Sequence, residues 1–472
     1  MRNHPTRLQQ THRNGHGPKV SFGFVLGLMA IVAFSVMEAI SHADPANQQA
    51  PKTYTFSNLA TLGVAPNFGD FELGQINNRG DVLFVSETAE CIDTPFGFAL
   101  CEGVFLSKRG ALGQPIHAGG PVPGGGTFAG FVVGPTAFND QDQAALPLGL
   151  TPFTFPFGLN SGLYRYASGS GTLSAVLVPG VTAAPGLAGV TFQGVAQGVS
   201  INNLGTIAFP GVIPSTAGLP GTSVGAGIFT VDTAGTFSKV ILPGDTAPGG
   251  ATFNYAQNAS INLGGDVAFE AHLAEAECIN GDPDPAITIG CFATGVYLRQ
   301  ASTGNIIKIA QAGDLDPLGA PFRHAWGPYV NDAGAVVFVG DLTAPPAFDE
   351  SLGLYLYTSS SIVPVVRPGD ALPGGGSASR VTSGSSASYG INNRGDVSFS
   401  AVLDNGDQGV YVKSGGVIRL VAKTGTVLGT IGTMQALDSV FCGPVINERG
   451  QVTFTAKLTT DTVVLVSAAL AP

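Results

Sequence analysis

Apolar and polar positions alternate along most of this chain in short runs. "VAFEAHL" (Val267–Leu273), "VSFSAVL" (Val397–Leu403) and "VTFTAKL" (Val452–Leu458) place apolar residues at every second position. That is the period of a strand with one buried face. The same turn precedes each run. "INNRGDVLF" at Asn77 aligns with "FNDQDQAAL" at Asn139, "INNLGTIAF" at Asn202, "INLGGDVAF" at Asn262, "VNDAGAVVF" at Asn331, "INNRGDVSF" at Asn392 and "INERGQVTF" at Asn447. Successive asparagines are 62, 63, 60, 69, 61 and 55 residues apart. Three residues after the Asn comes a glycine (Gly80, Gly205, Gly265, Gly334, Gly395, Gly450), except for Asp142 in the second copy. Asn opening a type I turn and Gly in a left-handed fourth position form a hairpin signature. Aspartate is among the few other residues that tolerate that conformation.

Two more strands follow in phase. One is headed by glycine, as in "GVFL", "GLYR", "GIFT", "GVYL", "GLYL" and "GVYV". The next, as in "SKVILPGD" and "IVPVVRPGD", runs into a Gly/Pro-rich link whose aspartates (Asp245, Asp314, Asp370) read as turn chemistry. A fourth segment crowded with small residues, such as "TFQGVAQGVSI", leads to the next Asn. Four strands per unit, seven times over, predict an all-β fold: a seven-bladed β-propeller of four-stranded antiparallel blades. The small-residue strands belong innermost, where a tapering ring leaves least room. The chain ends after a second blade strand, and "KTYTFSNLATLG" near its start matches the strand then missing. Residues 52–63 are therefore expected to complete the last blade and close the ring, so that 52–472 form the propeller.

Composition agrees with a packed β protein. Of the 472 residues 44% are apolar and 11% charged, with 67 Gly and 32 Pro, so turn formers are plentiful but a core is affordable. The N-terminus reads as an export signal. Arg2, Arg7, Arg13 and Lys19 precede the apolar stretch Val20–Met37, and Ser41-His42-Ala43 offers small residues for cleavage. The expected division is a signal peptide at 1–43 and a linker at 44–51, with a periplasmic or extracellular address. Membrane attachment would arise only if that segment stayed uncleaved. Its removal takes four of 21 basic and one of 32 acidic residues, leaving 17 against 31. Such a chain lacks the basic footprint of a nucleic-acid binder. It is expected to be a monomer.

The tripeptide Arg-Gly-Asp occurs at Arg79–Asp81 and Arg394–Asp396, which raises adhesion as a reading. Leu204, Gly264, Ala333 and Arg449 occupy the Arg position in other copies, and Gly is required by the turn. The tripeptide is thus a by-product of the repeat. The repeat itself resembles that of bacterial exported choice-of-anchor tandem-repeat proteins, whose motif is Asn-x-x-Gly-x-x-Ala-Phe. Asn202–Phe209 and Asn262–Phe269 match it fully, while Leu83, Val337, Ser398 and Thr453 replace the Ala elsewhere. The resemblance implies an exported repeat protein and no particular activity. The C-terminal "VVLVSAALAP" carries no sorting signal or basic tail.

Cys91 and Cys101, and Cys278 and Cys291, flank loops at equivalent places in two units. Two local disulfides are expected in an oxidising compartment; metal binding is the rival, without a nearby His or C-x-x-C spacing. Cys442 reads as a buried small hydrophobe. No cofactor is expected. The acidic loop with Asn280, Asp282 and Asp284 is the one candidate for Ca²⁺, though it lacks the Gly and distal Glu of an EF-hand loop.

One cluster breaks the small-residue rule. "PFRHAWGPYV" puts Arg323, His324, Trp326 (the single Trp) and Tyr329 on an inner strand. Aromatic faces with a few convergent donors suit glycan, peptide or protein ligands; packing between blades is the competing role. The expected function is therefore an exported binding propeller with no evident catalytic machinery. The alternative is an extracellular polymer-degrading hydrolase or lyase using carboxylates such as Asp314 and Asp316 at the channel mouth.

Overall fold

The computed structural model describes residues 53–471 except 64–70, 96, 98, 154–158, 215–223, 274–293, 343–351, 383–388 and 439–442. The expected signal peptide and linker, Cys278, Cys291, Cys442 and the loop with Asn280, Asp282 and Asp284 lie outside the described residues. Within them the chain forms seven antiparallel sheets, each ordered from the strand before the Asn turn outward. Blade 4 shows the plan: Phe253–Ile261, Val267–Leu273, Thr294–Arg299 and Ile306–Gln311 run side by side from inside to outside. Blade 5 repeats it with His324–Val330, Val336–Asp341, Leu352–Thr358 and Ser361–Val366. In four blades the inner strand is broken into two short pieces that pair with the same second strand. Inner strands of successive blades touch around the whole circle, so the protein is a seven-bladed β-propeller. Tyr54–Thr61 pairs antiparallel with Val463–Leu470 and supplies the outer strand of blade 7. Ring closure therefore joins the two ends of the propeller sequence and pairs two strands that would otherwise be exposed edges.

The Asn turns build the hub. Each Asn side-chain oxygen accepts backbone N–H bonds from within its own turn. In blade 5, Asn331 Oδ1 takes Ala333 N at 3.1 Å and Ala335 N at 2.9 Å. The glycines of these turns have φ between +75° and +85°, and Asp142 sits at +61°. The other end of the amide reaches the next blade. Asn139 Nδ2 donates to Asn202 O at 2.8 Å, Asn202 to Asn262 O at 2.9 Å, and Asn262 to Asn331 O at 3.1 Å. The series continues from Asn331 to Asn392 O at 3.0 Å, Asn392 to Asn447 O at 3.1 Å, and Asn447 to Asn77 O at 2.9 Å. At the remaining junction Asn77 Nδ2 lies 3.4 Å from both Asp81 and Asp142 carboxylates. All seven asparagines are buried.

Within five of the blades an aromatic pair is stacked, and it explains the glycine that heads their third strand. Phe84–Phe105, Phe209–Phe229, Phe269–Tyr297, Phe338–Tyr355 and Phe399–Tyr411 stack across the second and third strands with ring centroids 5.4–5.9 Å apart. In each the third-strand ring folds back over the glycine two residues earlier. A Cβ at Gly409 would lie 2.6 Å from Tyr411 Oη, and one at Gly353 3.0 Å from the Tyr355 ring. These rings are fully buried, so they have nowhere to go.

Gly409→Ala should therefore cost about 1–3 kcal/mol by overpacking, whereas Gly113→Ala on an outer strand, with nothing within 4 Å of its Cβ, should be near neutral. Comparison of their urea midpoints checks this; equal midpoints would dismiss the close-approach explanation. The hub makes a second expectation. Asn331→Asp keeps the turn acceptor but loses the donor to Asn392 O and sets a carboxylate against it, a loss of about 1–3 kcal/mol at pH 7. Burial beside a carbonyl raises the folded-state pKa of that new carboxyl above its unfolded value. The deficit should then be full at pH 7 and shrink as pH falls from the raised folded-state pKa toward the unfolded value of about 4, as the neutral acid regains a donor. Melting of the variant against wild type across pH 3–7 measures it, and a pH-independent deficit would speak against the bond.

Candidate functional site

The channel has two different ends. At the Asn-turn end the residues after the ring asparagines make a second girdle. Asn78 N donates to Asp140 Oδ1 at 2.7 Å and Asp140 N to Asn203 Oδ1 at 2.9 Å. Leu263 N donates to Asp332 at 2.7 Å, Asp332 N to Asn393 at 2.8 Å, and Glu448 N to Asn78 at 2.8 Å. Asn393 N reaches both oxygens of Glu448, at 2.9 and 3.0 Å. These groups line a cavity of about 150 Å³. The Glu448 carboxyl is pushed above the usual range by burial and by Asp332 and Asp140, against the opposing pull of Asn393 N and Arg394. Each girdle carboxylate already accepts hydrogen bonds from a neighbouring blade, so these groups tie the blades together around the cavity.

The far end of blades 4 and 5 is chemically different. Glu270, on the second strand of blade 4, is buried with 3% exposure. It stands where other blades carry Val85, Pro147, Pro210, Val339, Ser400 and Thr455. Gln257 Nε2 and Asn258 Nδ2 each donate to it at 2.8 Å, and Gly327 N of blade 5 does so at 3.3 Å. His272 Nε2 lies 3.5 Å away. Burial alone would raise this carboxyl, but the bond and charge of His272 and the two amides outweigh it and hold it below the usual glutamate range. It is ionised at neutral pH.

From Glu270 a polar chain crosses to blade 5. His272 pairs in register with Tyr255 on one side and Thr294 on the other. Thr294 Oγ1 is 3.0 Å from His324 Nδ1, and the His324 ring is 6.5 Å from that of Trp326. Burial, reinforced by the Arg323 guanidinium, lowers the His324 pKa despite the opposing Asp341 and Glu270. His324 is thus a neutral imidazole at pH 7.

The four residues singled out from sequence separate here. His324 faces blade 4, where it meets Thr294, while Arg323 N bonds Asp341 O of its own blade at 2.7 Å. Trp326 and Tyr329, both partly buried, pack on the apolar core shared by blades 5 and 6. Tyr329 meets Tyr389 edge-on at 5.6 Å. Glu270, His272, Gln257, Asn258 and Thr294 were not read as site residues. A column-by-column comparison of the repeats would have exposed Glu270, the one carboxylate at its repeat position.

Asp314 and Asp316 are not channel-mouth carboxylates. Asp314 accepts Gln311 N at 3.0 Å and pairs with Lys308 at 2.8 Å. Asp316 is buried over the third and outer strands of blade 5, 2.8 Å from Arg367 Nη2 and 3.3 Å from Tyr355 Oη. They fasten the link between blades 4 and 5. The Arg-Gly-Asp turns are equally occupied: Asp81 and Asp396 are 1% and 7% exposed. Asp81 accepts Arg109 N at 3.0 Å, and Asp396 pairs with its own Arg394 at 2.6 Å, so neither carboxylate is offered to a receptor. Cys91 and Cys101 are disulfide-bonded, at the tip of the long hairpin of blade 1.

No curated protein matches the chain. Among solved structures it is similar to an oligogalacturonate lyase in complex with manganese, at 13% identity over 90% of this chain and 99% of that one, with a TM-score of 0.45. It is also similar to a puromycin-hydrolysing peptidase of Mycobacterium tuberculosis, at 9% identity over 87% of this chain and 53% of the other, with a TM-score of 0.47. A third is the β-propeller domain of the Trilobed protease from Pyrococcus furiosus, at 11% identity over 85% and 95%, with a TM-score of 0.44. At these values the likenesses say nothing about chemistry. One family model matches residues 33–288 and again 287–467, and the chain accordingly belongs to the family of unknown function DUF7453.

Proposed function

We propose that this protein is an exported binding propeller that takes a polar ligand, a glycan or peptide, at the far end of blades 4 and 5. The observation that carries the reading is the run Glu270–His272–Thr294–His324–Trp326. It places an ionised buried carboxylate, two imidazoles and the single indole together. The equivalent second-strand position holds apolar or hydroxyl residues in the other blades. Buried charge is costly and is kept where it serves a site or a specific structure. A partly buried indole beside polar groups suits the apolar face of a sugar or a peptide side chain. Export rests on the basic and apolar N-terminal pattern, on the resemblance to exported repeat proteins, and on the Cys91–Cys101 disulfide. A second reading, a hydrolase or lyase of extracellular polymer, draws on the neutral His324, an imidazole able to accept a proton as a general base.

The export reading has a direct check: expressed with its leader in a bacterium, the protein should leave the cytoplasm with Asp44 as its new N-terminus. Retention of residues 1–43 in the recovered protein would reject cleavage there. For the site, a glycan and peptide array supplies the ligand, and Trp326→Ala is then compared with wild type. Loss of an aromatic hot spot costs at least about 2 kcal/mol, roughly thirtyfold in affinity, with a smaller fall in melting temperature. A large fall in melting temperature with unchanged affinity would make Trp326 core only. Shortening of a polymeric hit during incubation would favour the second reading.

A further inference from the structure

We infer that Glu270 is a positioning residue of this cluster, acting through His272. The inference rests on the reading that the far end of blades 4 and 5 is the ligand site. Glu270 itself is not placed to meet a ligand. A carboxylate offers about four lone-pair directions, and the protein approaches from four: Gln257 and His272 at Oε1, Asn258 and Gly327 N at Oε2. Those donors come from two blades, so the charge ties the inner strands of blades 4 and 5 at their closest approach.

The backbone supports the same conclusion. Each described inner strand of blades 2 to 5 has a left-handed residue shortly before its Asn: Gly134, Gly198, Asn258 and Gly327, with φ of 78°, 90°, 51° and 63°. Only blade 4 uses a residue with a side chain there. A left-handed non-glycine costs about 1 kcal/mol, and Asn tolerates it best. What blade 4 gains is an amide aimed at Glu270. Two departures from the repeat, at Asn258 and Glu270, thus serve one buried charge, joined by Gln257, whose position blade 3 also fills with a glutamine, Gln197.

The consequence falls on His272. An imidazole whose Nε2 faces a carboxylate carries its proton there, leaving Nδ1 as the accepting nitrogen of the neutral ring. Glu270 in this way sets the tautomer of His272. The other ionisable groups around it are Tyr255 on the inner strand of blade 4, and Arg323, His324 and Asp341 of blade 5. The last three set up opposing fields at His324, with Arg323 lowering and Asp341 raising its pKa. His272 stands beside Thr294 in the strand register, and Thr294 contacts His324, so the three residues lie in one run toward blade 5.

The test is ¹⁵N–¹H NMR of the histidine imidazoles in the full protein, with His117→Gln and His324→Gln variants for assignment. In wild type at high pH, His272 should show the Nε2–H tautomer. In Glu270→Gln, which keeps the shape and removes the charge, His272 should lose its preference for the Nε2–H tautomer. A purely structural Glu270 would lower the melting temperature and leave the tautomer of His272 where it was, which would overturn the inference. If Glu270→Gln does not fold, the wild-type tautomer decides: an Nδ1–H ring would refute the assignment. None of these readings needs a ligand. A blank ligand screen would therefore count against the proposed function while the coupling of Glu270 to His272 stood or fell separately.

Discussion

The amide of one asparagine per blade is the constraint on which this structure depends. Its oxygen closes a hairpin turn within the blade, and its nitrogen bonds the peptide carbonyl of the next blade's asparagine. A buried Asn amide needs partners at both ends, and here the local partner and the distant one are supplied by the same repeat. Aspartate would keep the turn and lose the ring; serine would lose the reach. Each bond contributes about 0.5–1.5 kcal/mol net, a modest amount singly. Its larger effect is geometric, since six such bonds fix how far each blade is rotated from the last. The second girdle from Asn78 to Glu448 repeats the arrangement one residue on and ties the blades together around the cavity.

Outside the hub, five blades are braced internally by aromatic stacking. In each of them the Phe that ends the turn motif lies against the Tyr or Phe of the third strand, and that ring occupies the space a Cβ would need two residues earlier. Glycine at the head of the strand is thus a packing residue, and its φ is not what selects it. The link aspartates are local in the same sense. Asp245, Asp314 and Asp370 each accept the backbone N–H three residues before them, at 2.7, 3.0 and 2.8 Å.

Against so regular a background, the departures carry the functional information. Blade 4 places Glu270 where other blades carry apolar or hydroxyl residues, blade 5 sets His324 and Trp326 on an inner strand, and blade 4 accepts a left-handed Asn258 beside its carboxylate. Only local disagreement between a residue and its repeat marks a candidate site in a molecule built by repetition. The same comparison removes other candidates. The Arg-Gly-Asp turns satisfy their own carboxylates, and Asp314 and Asp316 serve the link.

The order of strands within a blade, the count of seven and the joining of chain start to chain end were legible in the sequence. They follow from short-range physics: a period of two, a turn that needs Asn and Gly at fixed positions, and a strand left without a partner at each end. The inner place of the small-residue strands was legible too, because a converging ring limits side-chain volume. What the sequence could not show is which residues from different blades meet. Arg323, His324, Trp326 and Tyr329 are neighbours along one strand, yet a bulge between Trp326 and Tyr329 and the two faces of the sheet send them to different contacts. Glu270 lies more than fifty residues before Gly327, and only the rotation of blade 5 against blade 4 brings that N–H to its carboxylate. Strand pattern depends on nearest neighbours in the chain; a site between blades depends on the angle between sheets, and that angle exists only once the ring has closed.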